Sequence, residues 1–288
     1  MKHTRKKSKG TWRHMLMLSF LLVAVVALIL GAAVPGVWAQ DDDDDDDDGP
    51  IVLDDSTIII ETNFTDGDAG IQIFLDGEAW SKIQIKDPNR KKIFDVKGKG
   101  KLKKFGLTEL FLESEEPNYL EVGEDAITLQ EILDLFPEGD YEFKGKTVEK
   151  DEITGTATLS HVLPCAPDAM TLSPFREIVA VGAVPIDWEP VTTVVNNDTG
   201  TDCIAGAPNV TTYQVIVENL DTEDEFSIFL PDTETLVTVP SEFIVDGTDY
   251  KYEVLAISAN GNQTIVETWF CVDSGGVPGT LCADPDPD

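Results

Sequence analysis

Apolar and polar residues alternate with period two through short segments of the C-terminal half of the chain. Every second position from Tyr250 to Ala256 is apolar, and a turn-forming Asp246-Gly247 pair precedes this segment. The same pattern recurs at residues 185–190, 212–218, 226–230, 234–239 and 263–272. A strand with one buried face alternates in this way. The pattern therefore predicts a domain of short strands over residues 169–272.

The preceding part of the chain, residues 51–163, is also rich in strand patterns. Alternating or β-branched segments predict strands at residues 56–62, 71–75, 80–85, 92–96, 110–113, 140–147 and 154–161. Two prolines interrupt the pattern between Leu163 and Asp168. We place the boundary between two domains there.

One short helix is predicted within the first domain. Thr128 and Glu131 have the spacing of a capping box, in which each side chain accepts a hydrogen bond from the other residue's backbone N–H. An apolar stripe follows at Leu129, Ile132, Leu133 and Phe136. Pro137 and Gly139 end the helix.

Three aromatic residues stand in an order that resembles a known sandwich family. Trp188 lies in the first strand of the second domain, Tyr213 opens a later strand, and Tyr250 follows a turn. This arrangement resembles a fibronectin type III domain, in which Tyr250 would form a tyrosine corner. The resemblance implies structural roles for all three. We expect a mainly β chain with two β-sandwich-like domains in tandem, the second fibronectin type III-like and the first Ig-like or α+β with one short helix.

In this resemblance, residues 185–190 correspond to strand B and residues 212–218 to strand C. The connection between them, residues 191–210, is longer than a tight loop. Loops at that end of a sandwich often carry recognition. Long surface insertions also cost little stability. Two interpretations therefore stand at this point, a binding loop and a tolerated insertion.

Residues 1–39 predict a signal peptide. Six basic residues precede an apolar run at residues 15–34, and small residues surround Ala39, after which we expect cleavage. The alternative is an uncleaved anchor in the inner membrane, because the run is long enough to span a bilayer. In the first case the protein is secreted, periplasmic or at the cell surface, and a membrane is a partner only in the second case.

The rest of the chain is strongly acidic. All 54 Asp and Glu residues lie beyond the leader, and the formal net charge of the whole chain is −33. Residues 40–50 contain a run of eight aspartates and predict a solvated low-complexity spacer, and residues 273–288 predict an acidic, proline-containing tail. This charge excludes general electrostatic binding of nucleic acid.

An even set of four cysteines in an exported chain predicts disulfides. Four cysteines allow three pairings. The fibronectin-like topology implies the pairs Cys165–Cys203 and Cys271–Cys282, because it places the members of each pair at the same end of the sandwich.

The sequence offers no motif for catalysis. His161 is the single histidine beyond the leader, which excludes a histidine-rich metal site, and no nucleophile elbow or phosphate-binding glycine loop occurs. We therefore expect no catalytic residues and no cofactor. A hydrolase that uses two carboxylates stays as an alternative, because carboxylates are abundant.

A weak calcium site is considered at the turn around residues 63–78. Asp66, Asp68 and Asp76 would supply oxygen ligands, and glycines between them would allow tight backbone turns. The competing interpretation is that Asp and Gly are present here as turn formers.

Basic residues are concentrated in one window of this acidic chain. Arg90, Lys91 and Lys92 precede Lys97, Lys99, Lys101, Lys103 and Lys104. In a strand, the alternating lysines would share one face. Such a ribbon could bind an anionic polysaccharide, lipid headgroups or the acidic spacer. Lysines also protect edge strands from aggregation, which is the competing interpretation.

These observations predict an exported, non-enzymatic binding or structural module of the cell envelope or extracellular space. We expect a protein or polysaccharide partner. Carbohydrate or polyanion recognition through residues 97–104 is the alternative within binding proteins, and the carboxylate hydrolase is the alternative from another class.

Overall fold

The fold is described by a computed structural model for residues 49–123, 126–168, 177–273 and 275. These residues belong to one compact unit that begins at Asp48. The elements of the first half are β1 (Ile51–Val52), β2 (Asp55–Asn63), β3 (Asp68–Lys86), β4 (Lys92–Lys97), α1 (Lys101–Phe105), β5 (Leu107–Glu113), α2 (Leu129–Asp134), β6 (Gly139–Thr147) and β7 (Glu152–Leu159).

The second half contains strands without helices in its described residues. They are β8 (Glu177–Val179), β9 (Val184–Asp187), β10 (Thr193–Val195), β11 (Cys203–Ala205), β12 (Val210–Asn219), β13 (Glu225–Pro231), β14 (Leu236–Val239), β15 (Asp249–Ser258) and β16 (Gln263–Val272). The protein is mainly β, as the alternation predicted. No helix within the described ranges has the length and hydropathy needed to span a bilayer.

One large sheet runs through both halves. Its strand order is β1-β7-β6-β3-β2-β16-β15-β12-β13, with β4 and β5 also paired to β3 and β8 also paired to β16. Two small antiparallel pairs, β10–β11 and β9–β14, complete the described sheets.

The long strand β3 corrects one sequence prediction. The segments 71–75 and 80–85, expected as separate strands, form a single strand of 19 residues. Its pairing with β5 shifts register between Asp76 and Trp80, around Gly77. A bulge of this kind bends a strand without ending it. The first part of β3 therefore pairs with β2 and β5, and the last part pairs with β4 and β6.

The first hydrophobic core lies around β3 and α2. Trp80, Ile83 and Ile85 of β3 are fully buried beside Tyr141 and Phe143 of β6. The predicted capping box begins α2: the Thr128 hydroxyl accepts from the Glu131 N–H at 3.2 Å, and the Glu131 carboxylate accepts from the Thr128 N–H at 2.9 Å. The apolar stripe of α2 is buried in this core.

The second core lies between the sheet β16-β15-β12-β13 and the pair β9–β14. Trp188 packs edge-on against Tyr213 with ring centroids 5.2 Å apart. The Tyr250 hydroxyl donates to the Phe243 carbonyl and accepts from the Val245 N–H, both at 2.9 Å. This is the geometry of a tyrosine corner. The strands predicted at residues 185–190, 212–218, 226–230, 234–239 and 263–272 are present as β9, β12, β13, β14 and β16, and Tyr250–Ala256 lies in β15.

The two cores are joined by β2 and β16, which pair in parallel at Glu61–Gln263, Thr62–Thr264 and Asn63–Ile265. Asn262, fully buried, precedes this pairing. Its carbonyl accepts from the Ile60 N–H at 2.9 Å, and its amide donates to the Ser160 and Val162 carbonyls at 2.7 and 3.0 Å. One side chain therefore satisfies backbone groups from two segments of the first half.

A disulfide makes a second connection. Cys165 bonds to Cys203, with their Cα atoms 6.0 Å apart, as predicted. Cys203 belongs to the hairpin β10–β11, which lies within residues 191–210. Val195 of this hairpin is buried in the first core. The long connection thus packs against the other half of the protein.

Several predictions fall outside the described residues. They concern the signal peptide, the aspartate run, the acidic tail from residue 276 onward and the pairing of Cys271 with Cys282. These, and the division into two domains at residues 163–169, stay predictions.

Candidate functional site

The structure separates the three carboxylates of the suggested calcium site. Asp68 begins β3, whereas Asp76 lies eight positions further along it and is paired with Asp55. At about 3.3 Å per residue, roughly 26 Å separates Asp68 from Asp76 along the strand. One ion cannot contact both, so the predicted calcium site that combined Asp66, Asp68 and Asp76 is wrong.

The turn before β3 is organised by a side chain of the protein itself. The Asn63 carbonyl accepts from the Thr65 and Asp66 N–H groups at 2.9 and 3.2 Å. This is an Asx turn, and it favours the interpretation of these residues as turn formers. Burial raises the pKa of Asp68 to about 6, and the nearby Asp66 carboxylate adds to that shift.

A different acidic cluster forms where β2, β5 and the following loop meet. A carboxylate oxygen from each of Glu61, Glu113 and Glu116 lies within 4.8 Å of the others. Gln263 donates to Glu61, and Gln72 donates to Glu113 at 3.1 Å. No local pattern indicates this cluster, because the three residues come from separate elements.

Burial dominates the titration of this cluster. Burial, followed by repulsion from neighbouring carboxylates, raises the pKa of Glu61 to about 8 and that of Glu116 to about 7. Burial also raises the pKa of Glu113. Glu61 therefore holds a proton at neutral pH and Glu116 is about half protonated, and a divalent cation binding among them would have to displace those protons.

The acidic face continues onto the second half around a single lysine. The Lys251 ammonium lies 2.7 Å from Glu253, 3.4 Å from Glu267 and 3.9 Å from Glu218. Glu253 and Glu267 are directly opposite in the β15–β16 ladder. Lys251 therefore offsets the repulsion of like charges in adjacent strands.

A shallow cleft of about 330 Å³ lies beside the hairpin β10–β11. It is lined by Gln130, His161, Val162, Val194, Val195, Asn196, Asn197, Asp198 and Ile204. The His161 Nε2 atom is 2.8 Å from the Phe136 carbonyl oxygen, and its backbone N–H donates to Glu138. This lining contains neither a serine nor a cysteine, nor any carboxylate of the acidic cluster. The cleft therefore lacks the residues for nucleophilic or two-carboxylate catalysis.

The basic window is not a single ribbon, which corrects the prediction for residues 97–104. Strand β4 ends at Lys97, and residues Lys101–Phe105 form the one-turn helix α1. Gly100 has a φ angle of 57°. Glycine adopts this left-handed conformation at little cost, and it ends the extended backbone that alternation had suggested.

Pairing between strands assembles a larger cationic surface instead. Lys82 of β3 is directly opposite Lys97 of β4 on one side and Lys146 of β6 on the other. We call these three residues the lysine row. Lys144, two positions from Lys146, extends it. Lys82 lies in the basic part of the sequence that extends to Lys104, but Lys144 and Lys146 lie outside it. Only long-range pairing brings those two residues beside Lys82.

The nearby carboxylates respond to this surface. The Lys92 ammonium, 2.9 Å from Asp95, lowers the pKa of that carboxyl, and Lys82 and Lys97 lower it further. The hydrogen bond from Lys144 lowers the pKa of Glu142, and Arg90 and Lys86 lower it further. Arg90 and Lys91 lie exposed at the turn between β3 and β4.

The segment after β4 carries the remaining lysines. Lys99, Lys101, Lys103 and Lys104 are exposed, as are Leu102 and Phe105 of α1. We call residues 97–105 the basic tip. Within the described part of the chain, none of its five lysines lies within 4.0 Å of a carboxylate.

Comparison with known proteins found similarities to solved structures at low identity and low TM-score. No protein-family model and no curated protein matches the sequence. A two-domain fibronectin type III segment of chicken tenascin covers 75% of this chain and 97% of its own, at 12% identity and a TM-score of 0.27. The FN1–FN3 domains of chicken CNTN1 cover 77% of this chain and 68% of their own, at 10% identity and a TM-score of 0.31. A fibronectin type III domain of human collagen alpha-1(XX) covers 41% of this chain and 93% of its own, at 17% identity and a TM-score of 0.28.

Proposed function

We propose that this protein is an exported, non-enzymatic binding module whose β-sheet body presents a basic surface to an anionic partner at the cell envelope or outside the cell. The predicted leader and the disulfide Cys165–Cys203 support export, since disulfides persist in oxidising compartments.

The lysine row is the observation that carries this proposal. Like charges directly opposite in neighbouring strands destabilise a sheet. In a chain with 54 acidic residues and 21 basic ones, three lysines in one row repel one another. Glu152, opposite Lys146 in β7 and 4.0 Å from its ammonium, offsets this repulsion at one end of the row only. An anionic ligand would relieve that repulsion.

Protection of a sheet edge does not explain the whole row. Among the described strands, β4 has β3 as its single neighbour, so Lys97 lies on an edge strand. Edge lysines discourage pairing with other chains. However, β3 and β6 each have neighbours on both sides, so Lys82 and Lys146 do not protect an edge.

Retention on a heparin-type resin at low salt tests the proposal. The oxidised chain from residue 40 to 288, which contains the whole compact unit, should be retained and should elute as salt rises. The variant Lys82→Gln/Lys97→Gln/Lys146→Gln should elute at clearly lower salt. Passage of the unaltered chain in the void volume would refute the proposal.

A control with the same net charge separates local from global effects. Thr211, Thr238 and Ser241 are exposed in the second half. Their replacement by Glu changes the net charge by as much as the three Lys→Gln substitutions. This control variant should elute close to the unaltered chain, because charges beyond about 10 Å are largely screened.

A further inference from the structure

The basic tip combines positive charge with exposed apolar side chains. Phe105 is 81% exposed and Leu102 is 54% exposed, and no residue of α1 is buried. The two residues are three positions apart on the helix, so they lie on the same side of it. Single exposed apolar residues are common, but two on the same side of a helix within a lysine-rich segment form an apolar patch suited to an interface.

The tip is held at both ends by the same strand. Lys97 pairs with Lys82, and Leu107 pairs with Trp80, two positions earlier in β3. At Gly106, an added Cβ would lie 2.8 Å from the Ala79 and Val148 side chains, so the chain passes very close to the body there. The tip is therefore a short closed projection, presented by the rigid sheet.

We infer that the basic tip docks on an anionic lipid bilayer, with Leu102 and Phe105 entering the headgroup region and the surrounding lysines contacting lipid phosphates. The inference rests on the proposed anionic partner and names its class. Lipid headgroups were one of three possible ligands that the lysines alone suggested, and the exposed apolar pair of the tip is the added observation that selects them.

The exposed apolar pair favours a bilayer over a soluble polyanion. A soluble polysaccharide would neutralise the lysines and leave Leu102 and Phe105 in water. A bilayer interface accepts both components, because apolar side chains enter the boundary between headgroups and acyl chains while lysines reach anionic headgroups.

The acidic remainder of the protein does not prevent this contact. Electrostatic interactions fall off over about 8 Å at physiological ionic strength. The five lysines of the tip lie in no ion pair in the described structure. With the tip toward the bilayer, these cations are the nearest charges, and more distant carboxylates are screened.

Co-sedimentation with lipid vesicles tests the inference. Residues 40–288, oxidised, are mixed with vesicles of phosphatidylcholine alone or of phosphatidylcholine with phosphatidylglycerol. We expect binding only to the vesicles that contain phosphatidylglycerol. Leu102→Ser/Phe105→Ser and Lys101→Gln/Lys103→Gln should each lower the partition coefficient by at least about tenfold. Both pairs are exposed, so the melting temperature should be unchanged and confirms that the variants are folded.

Heparin retention of the same variants shows whether a negative result concerns the bilayer inference alone or the proposed function as well. Leu102→Ser/Phe105→Ser should retain heparin binding, since a soluble polyanion contacts the lysines. Heparin binding without vesicle binding, or vesicle binding that survives Leu102→Ser/Phe105→Ser, would overturn the bilayer inference and leave the proposed function standing. Absence of both would overturn both. Dimerisation in solution that this variant abolishes would assign the apolar pair to a second copy of the chain and would also overturn the inference.

Discussion

Among single side chains, Tyr250 is the residue whose role follows most directly from its contacts. Its hydroxyl bonds to the Phe243 carbonyl and the Val245 N–H, and its ring stacks on Phe270 with centroids 5.0 Å apart. The hydroxyl fixes the corner before β15, while the ring fills the second core. Both contributions are structural.

Replacing Tyr250 by Phe should keep the stacking and lose three hydrogen bonds, the two of the corner and one that the Asn219 amide donates at 3.4 Å. We expect the free energy of unfolding to fall by about 1–2 kcal/mol, because a buried N–H and a carbonyl lose their partner. Chemical denaturation of the oxidised protein measures this. Heparin retention should not change, and a Tyr250→Phe variant as stable as the original would contradict the corner's importance.

Glu61 should make stability depend on pH. Its pKa is raised from 4.5 to about 8 by burial. Between these values the unfolded chain loses the proton and the folded chain keeps it, so stability should fall as pH rises from about 4.5 to 8. Glu116 and Glu267, each with a pKa raised to about 7, act in the same direction.

The variant Glu61→Gln should remove the Glu61 share of this dependence and can still bond to Gln263. At pH 8 we expect it to be more stable than the original by about 1–3 kcal/mol, with little difference at pH 4.5. Thermal melts across this range, in the presence of a chelator, measure the effect. Parallel pH profiles for the two proteins would show that Glu61 titrates normally.

At the level of strands and helices, local sequence patterns predicted the elements whose stabilising contacts are between residues close in sequence. The alternation around Tyr213 and Tyr250 located β12 and β15 closely, and the Thr128–Glu131 spacing located α2. In each case the side chains that form the pattern also make the contacts. The tyrosine corner and the capping box both depend on residues close in sequence.

The sequence predictions fail where a glycine, or pairing between segments distant in sequence, determines the structure. The Lys-Gly alternation of residues 97–101 has period two, but glycine contributes no side chain and Gly100 leaves the extended region. Residues 71–75 and 80–85 were predicted as two strands, but the chain between them, which contains Gly77, forms a bulge within β3. The lysine row and the acidic cluster arise from pairing between separate strands, so no local pattern could have revealed them.

The capping box of α2 offers a test at this level. Thr128→Ala should lower the free energy of unfolding by about 1 kcal/mol, because the Glu131 N–H loses its partner at the helix start. Gln130→Ala, in the same helix, is the control and should change stability by less than about 0.5 kcal/mol. Denaturant titration compares the two. Equal effects would show that capping does not matter here.

For the whole molecule, the connection between the two cores is the main organising feature. The parallel pairing of β2 with β16, the bonds of Asn262 and the disulfide Cys165–Cys203 all cross between the halves. Thr264 adds a bond to the Pro164 carbonyl at 2.6 Å. These links favour a fixed arrangement, in which the second half supports the sheet that carries the lysine row.

Removing the amide of Asn262 should weaken this connection. In Asn262→Leu, the Ile60 N–H and the Ser160 carbonyl lose their side-chain partner in a buried position, and the Val162 carbonyl keeps only the bond from Asn260. We expect a loss of about 3 kcal/mol or more. The melt should also broaden or split if the two cores then unfold separately. Asn260→Leu, at a more exposed position that donates one bond to Val162, is the control and should cost much less. An unchanged Asn262→Leu melt would refute the proposed coupling.

The central claim is that the lysine row exists for binding at some cost to stability. Its most direct test is the salt concentration at which Lys82→Gln elutes from a heparin-type resin, measured beside its free energy of unfolding. The account predicts earlier elution together with stability that is unchanged or higher by several tenths of a kcal/mol, because Lys82 faces lysines on both sides. Unchanged elution with lower stability would contradict the account and make Lys82 a structural residue.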